Sequence, residues 1–457
     1  MNDRLSKGKS LFTLREFNPL ARFVTFNVVG SGASLVIGFG ASIGLARWLG
    51  PSGRGLLGLM ISASGLALAL TSVGLPLSVV YFASRRDAEP AKIFGDTLLY
   101  AVVLTALFIP VGLLFHRQLA GAVSHGYGGD TWVFAAALVP IVFLDWTTHG
   151  QLQGMMRFGR FNVLLVVSRV AYALAIVMLL GVFDLGVAGG LIATAVASGV
   201  MVVGSLKPIL EWGAPRIDGE LLRRMLHYGT RVQVGAILQI TNARLDVIIL
   251  QFYRPLSQVG YYVVAQTIAE LVITLARAFQ SSVLPLASRY QGDERQAATS
   301  ADSILHHGIL AAAAVLGNAV FGSIVIFFAF GPQFRPAIVP MLILLPGIWF
   351  LGAGMVIQGD LGGRNRPGLS SLLAGLAAGV TIVLDFALIP PLGVLGATLA
   401  SVAAYTTFGV ASLIALHRVS GVPLRRLVVP TREDFALYST LLARTIARIR
   451  GRSRGKA

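Results

Sequence analysis

The chain has 457 residues, 55% of them hydrophobic and only 12% charged, with no cysteine and a formal charge of +17. Soluble proteins carry roughly a quarter charged residues, so a mean hydropathy of +0.76 makes the bilayer the solvent. Disulfides and thiolate metal sites are excluded, and the seven histidines form no H-x-x-x-H pair.

An N-terminal tail, 1–22, carries Arg4, Lys7, Lys9 and Arg15 ahead of the first apolar segment. That segment is too long for a signal h-region, lacks a small-residue cleavage site, and reads as a retained signal anchor. Segments long enough to cross the hydrocarbon then follow near 23–46, 55–83, 93–115, 131–154, 161–182 and 187–207. A mixed-charge stretch with Pro208, Pro215 and Gly219, residues 208–225, reads as a linker. Six more spans follow near 226–252, 258–287, 302–330, 336–358, 368–389 and 393–416. The expected organisation is therefore an all-α integral membrane protein of twelve transmembrane helices, with an N-lobe at 23–207 and a C-lobe at 226–417.

The second lobe repeats the first. Leu185-Gly186-Val187-Ala188-Gly189-Gly190 returns as Leu392-Gly393-Val394-Leu395-Gly396-Ala397, Gln153-Gly154 as Gln358-Gly359, and Leu75-Pro76-Leu77 as Leu284-Pro285-Leu286. Six crossings return the chain to its starting side, so the two copies insert in parallel. Lys and Arg assign the sides. With the N-terminus inside, the inner segments hold Arg85, Arg86, Lys92, Arg157, Arg160, Lys207, Arg364 and Arg366, among others. The outer loops hold only Arg47, Arg54, Arg117, Arg254 and Arg335. The expectation is N-in and C-in, and the excess charge is a positive-inside signature rather than a nucleic-acid surface.

The basic tail, 418–457, contains a candidate amphipathic helix at 431–449. Thr431 caps it, and Phe435, Tyr438, Leu442, Ile446 and Ile449 recur at helical spacing against Arg444 and Arg448. It reads as a surface anchor, with partner docking as the alternative.

Charge inside a span costs at least ~2.5 kcal/mol on insertion scales, so such residues are functional candidates. They are Asp145, Arg169, Arg231, Arg244, Asp246, Glu270, Arg277 and Asp385. In the eighth span Gln266, Glu270, Arg277 and Gln280 fall within ~80° of one another; in the seventh, Arg231, Gly235, Gln239, Asn242 and Asp246 share a stripe. Asn27, Ser31, Ser34, Gly38 and Ser42 share a face of the first. Such helices line a hydrated cavity or bury their polar faces against neighbours, and an internal salt bridge such as Glu270 with an arginine is the competing reading. The arginines make the interior cationic and suited to phosphate. The expected substrate set is Arg277, Arg244, Arg231, Arg169, Gln266, Glu270, Asn242, Gln239 and Asn27. No catalytic constellation is found.

Ala46-Arg47-Trp48-Leu49-Gly50-Pro51, Arg244-Leu245-Asp246, Gly260-Tyr261-Tyr262 and Ile389-Pro390-Pro391-Leu392-Gly393-Val394-Leu395-Gly396-Ala397, in this order, resemble the polysaccharide flippases (Wzx-type) of the MOP superfamily. The resemblance covers nearly the whole chain. It implies two six-helix lobes in a V, alternating access, and an undecaprenyl-diphosphate-linked glycan as substrate. It also implies a bacterial cytoplasmic (inner) membrane location and work beside a polysaccharide polymerase or glycosyltransferases, with no nucleic-acid partner. Lipid II flippases carry arginines within the first two helices, and the midsections here have none. By similarity to sodium-binding lipid II flippases, Asp246, Thr381, Asp385 and Thr398 form a candidate Na+ or H+ coupling site, and no other cofactor is expected; Asp246 paired with an arginine is the alternative. A MATE-like cation-coupled exporter and a lipid II flippase remain competing functions.

Overall fold

The structure is a computed structural model that describes residues 14–85, 88–289 and 294–430. Among the described residues every regular element is helical. In chain order they are α1 (Leu14–Thr71), α2 (Leu75–Arg85), α3 (Pro90–Ser124), α4 (Thr131–Gly154), α5 (Phe158–Ile176), α6 (Gly186–Leu210), α7 (Gly219–Tyr253), α8 (Leu256–Ala269), α9 (Ile273–Arg289), α10 (Glu294–Val325), α11 (Ile338–Gly363), α12 (Pro367–Leu392), α13 (Val394–Ser420) and the short α14 (Leu424–Val428). Ten described stretches are long and apolar enough to cross a membrane. One of them, within α1, is two helices joined at Gly50, whose φ of 66° only glycine adopts readily. Pro51 then opens the second helix, where its missing N–H costs nothing. The all-α membrane fold expected from the sequence is the fold observed, and twelve crossings fit this helix order. The amphipathic segment 431–449 lies outside the described residues.

Large apolar side chains point outward along these helices. Val102, Val103, Leu107 and Leu114 of α3 and Leu316, Val320, Phe321 and Ile324 of α10 are exposed. Continuous patches of this kind mark the lipid-facing surface of a membrane protein.

By internal contacts the chain forms two units. The first holds the described residues up to Ile240 together with Pro255–Gly260; the second holds Thr241–Arg254 and the described residues from Tyr261 onward. By this measure the boundary between the units falls within α7, and the linker lies in the first unit. The linker is fastened to the first unit. The Asp218 backbone N–H donates to Asp96 Oδ1 at 2.8 Å, and Lys92 Nζ meets Asp218 Oδ2 at 3.1 Å. Arg157 pairs with Glu211 at 3.3 Å. The Leu221 N–H and the Lys92 ammonium hold the Asp218 carboxyl below its usual range, so the Lys92–Asp218 pair persists in mild acid and loosens as pH falls through that lowered value.

Within the first unit two glycine contacts bring backbones together. A Cβ on Gly55 would lie 2.0 Å from the Leu256 carbonyl oxygen, and one on Gly260 would lie 2.0 Å from that of Pro51. Further along, α1 breaks before α2 through Val73 (φ 47°) and Gly74 (φ 68°). Gly74 rests against Gly229 of α7, where Ser78 Oγ donates to the Met225 carbonyl at 2.8 Å. Gly55→Val is expected to destabilise by more than the ~1–3 kcal/mol of ordinary overpacking, because backbone rather than a side-chain end must move. Thermal melting in detergent checks this, with Gly65→Val, which meets open space, as the control.

The duplication is visible in matching backbone turns. Where α4 ends, Met155 N–H bonds Gln151 O (2.9 Å) and Arg157 N–H bonds Leu152 O (3.0 Å); where α11 ends, Arg364 N–H bonds Asp360 O (2.9 Å) and Arg366 N–H bonds Leu361 O (2.9 Å). Met156 (φ 58°) and Asn365 (φ 57°) occupy the same left-handed position. The structural equivalent of Gln151 is therefore Asp360. This corrects the sequence alignment of Gln153-Gly154 with Gln358-Gly359, because the left-handed turn residue, not the shared dipeptide, sets the register.

The equivalent positions do the same task with different chemistry. Gln151 Nε2 donates to the Pro90 carbonyl at 2.7 Å and ties α4 to the start of α3. Asp360 accepts from Ser300 Oγ of α10 and from Arg364 Nε, the latter at 2.5 Å. Arg364 also reaches Gln296 Oε1 at 3.3 Å, and Gln296 donates to the Ala287 carbonyl at 2.7 Å. One copy uses a neutral hydrogen bond, the other a buried ion pair.

Candidate functional site

The second unit contains a broken helix. After Ala269 the α8 pattern tightens into a 3-10 turn, Glu270–Val272, before α9 resumes. Such a turn leaves α-helical carbonyls short of a partner. Asn318 Nδ2 of α10 supplies one, donating to the Ile268 carbonyl at 2.9 Å. Glu270 opens the turn, half-buried. Arg244 of α7 is half-buried and Arg277 of α9 is exposed, and both act electrostatically on Glu270. Among the described residues no direct ion pair joins the three. Arg244 also acts on Asp246, so it is shared between Glu270 and that buried carboxylate. Gln280, on the expected stripe of the same helix, reaches Gln358 Oε1 at 3.4 Å.

Deeper in the same unit lies a buried carboxylate pair. Asp246 of α7 is fully enclosed. Its Oδ2 accepts from the Tyr262 hydroxyl at 2.5 Å and from Gln266 Nε2 at 3.0 Å, with Ser401 Oγ at 3.3 Å. Its Oδ1 accepts the Val247 N–H at 2.7 Å. Asp385 of α12 is equally enclosed and acts electrostatically on Asp246, yet neither of its carboxylate oxygens has a hydrogen-bond partner among the described residues. Thr381 of α12, one turn before Asp385, and Thr398 of α13 are also buried. Each donates its hydroxyl proton to its own helix, Thr381 to Ala377 O at 3.1 Å and Thr398 to Val394 O at 2.7 Å. Having donated, these hydroxyl oxygens can only accept.

Two buried carboxylates within reach of one another cannot both remain charged without a cation or a proton. The orphaned oxygens of Asp385 are hard donors, of the kind that a proton or a cation such as Na+ takes. No cluster of three His, Cys, Asp or Glu occurs among the described residues, so transition-metal sets of that size are not formed there. Residue spacing did not single out Tyr262 and Ser401 as parts of this site. The signal was available in the i,i+4 pair Tyr262–Gln266, whose polar tips converge at 3.1 Å. Gln266 itself, expected to face substrate, is spent on Asp246.

The remaining expected residues are scattered. Arg231 is exposed in the first unit, one helical turn from His227, whose Nε2 is 2.8 Å away. Arg169 is exposed on α5 and acts on Asp145, which accepts from Ser198 Oγ at 2.8 Å. The side chains of Asn27, Gln239 and Asn242 lie outside the described residues. Arg54 was assigned to an outer loop by the sequence. It is instead buried in the first turn after Pro51, with Nη2 3.3 Å from Ser42 Oγ. Tyr172, hydrogen-bonded to Thr194, feels both Arg54 and Arg169.

Residues 44–339 match the sequence profile of the polysaccharide biosynthesis protein family. The chain belongs to that family. It is 25% identical over 386 residues to the probable low-salt glycan biosynthesis flippase Agl15 of Haloferax volcanii, covering 82% of this chain and 78% of the relative. Among solved structures it is similar to the lipid II flippase MurJ in an inward closed conformation (TM-score 0.70, 14% identity, 88% of each chain). It is also similar to an inward-facing MATE multidrug transporter of the MOP superfamily (TM-score 0.69, 16% identity, 86% of this chain and 98% of the other). These structural likenesses show the fold. Together with the family match they bear out the expectation of a multi-pass polysaccharide-biosynthesis flippase with a MOP-type architecture.

Proposed function

We propose that this family member carries a polyprenyl-diphosphate-linked oligosaccharide from the cytoplasmic to the outer leaflet, by alternating access and without covalent chemistry. The observation that supports the reading is the break in the eighth span, where two arginines, Arg244 and Arg277, act on Glu270 with no direct ion pair among the described residues. Arginine binds phosphate with directed donors, which suits a diphosphate. A broken helix within a bilayer is where transporters commonly bind substrate. Lobes at 23–207 and 226–417, both termini inside, fit loading from the cytoplasm in a bacterial inner membrane, beside glycosyltransferases or a polymerase.

Asp246, Thr381, Asp385 and Thr398, joined by Tyr262 and Ser401, would hold the coupling cation, Na+ or H+. That pair is also the observation favouring the second reading, a cation-coupled exporter of small molecules. Replacement of Arg244 or Arg277 by Ala is expected to abolish glycan export at unchanged protein level, read as surface glycan per cell. Full export by both variants overturns the diphosphate role. Drug sensitivity on deletion, without any change in lipid-linked glycan, would favour the exporter.

A further inference from the structure

The linker roofs a cavity of about 550 Å³ in the first unit, among the ends of α2, α3, α4 and α7. That volume is within the ordinary range of ligand sites, and no step proposed above uses it. Its wall mixes charges: Lys92, Arg157 and Arg224 against Glu89, Asp218 and Glu220. Lys92 is neutralised by Asp218, and Arg157 by Glu211 outside the wall. Among the described residues of the wall, what remains is Arg224, whose guanidinium lies 5.3 Å from the centre of the Phe82 ring, with the two acids Glu89 and Glu220. A purely anionic ligand would meet those acids, and a purely cationic one would meet Arg224. A ligand bearing both a phosphate and an ammonium satisfies all three.

The surroundings indicate where such a ligand comes from. Trp212 lines the cavity and is more than half exposed, and Leu210 and Ile217 on the same linker are also exposed. Tryptophan with exposed aliphatic neighbours belongs at the level of lipid headgroups. Lys207, Arg216 and Arg223 lie in or beside the same linker in sequence, and the positive-inside rule assigns it to the cytoplasmic side.

We propose that this cavity binds the headgroup of a zwitterionic aminophospholipid, with the phosphate on Arg224 and the ammonium between Glu89 and Glu220. It uses none of the residues assigned above to the glycan, and its occupancy does not depend on what the protein transports. The test uses the full-length protein in detergent, with native mass spectrometry of bound short-chain phosphatidylethanolamine, short-chain phosphatidylglycerol or free phosphoethanolamine. The wild type is expected to retain phosphatidylethanolamine about tenfold better than phosphatidylglycerol. Arg224→Gln and Glu220→Gln lose that preference, while Arg224→Lys keeps it. Equal retention of the two lipids by the wild type overturns the proposal. So does undiminished preference in both Gln variants, or free phosphoethanolamine binding as tightly as the lipid, which would make this a soluble-metabolite site.

Discussion

Asp385→Asn is expected to abolish cation-dependent transport while leaving the protein as stable as the wild type or more so. The two outcomes have separate causes. Asp385 is a fully buried carboxylate whose oxygens have no hydrogen-bond partner among the described residues, and it faces the charge of Asp246. In the absence of a cation such a group opposes folding, and its neutral isostere relieves the repulsion. Where it ligates a cation, losing the charge removes about 1.5–3 kcal/mol, roughly ten- to hundredfold in affinity. Asp246→Asn behaves differently. Asp246 is the shared acceptor for Tyr262, Gln266 and Val247, with Ser401 alongside. Substitution turns one accepting oxygen into a donor opposite other donors, so transport and about 1–3 kcal/mol of stability should fall together. Melting curves with and without Na+ at several pH values, run beside transport, separate the two. Lowered stability in Asp385→Asn with intact cation dependence would contradict the cation role.

Arg364→Ala is expected to cost about 3–5 kcal/mol, because it leaves Asp360 charged, buried and unpaired. The same helix end in the first repeat supplies the comparison. Gln151→Ala removes a neutral hydrogen bond to the Pro90 carbonyl and should cost about 1–3 kcal/mol, the penalty of leaving that carbonyl without its donor. Replacing Asp360 and Arg364 together with leucine and methionine should recover most of the loss, since a buried pair is often no more stabilising than apolar residues of similar volume. Thermal unfolding of the purified protein reads all three. Equal, small losses in Arg364→Ala and Gln151→Ala would mean that water compensates Asp360.

What the sequence made legible was periodic. Uninterrupted apolar runs, the Lys and Arg bias and the repeated Leu-Gly-Val turn act through the bilayer and through local backbone, so the all-α membrane fold follows without tertiary knowledge. Partnership was not legible. Tyr262 and Ser401 reach Asp246 from two other helices, and the rotation of those helices is a packing outcome. Arg54 read as a loop residue because the second apolar run was taken to begin at residue 55. The Gly50-Pro51 turn instead starts a helix at Pro51 and carries Arg54 inward. The repeat slipped by four residues at Gln153 because a dipeptide identity outweighed the left-handed turn that both copies share at Met156 and Asn365.

The most direct test of the flippase assignment is the leaflet of the lipid-linked glycan in cells lacking this protein, read with a membrane-impermeant glycan-modifying reagent on spheroplasts. The expected result is accumulation of lipid-linked glycan that the reagent cannot reach, reversed by the wild-type chain and not by Arg244→Ala. A pool of normal size that remains fully accessible from outside would contradict it.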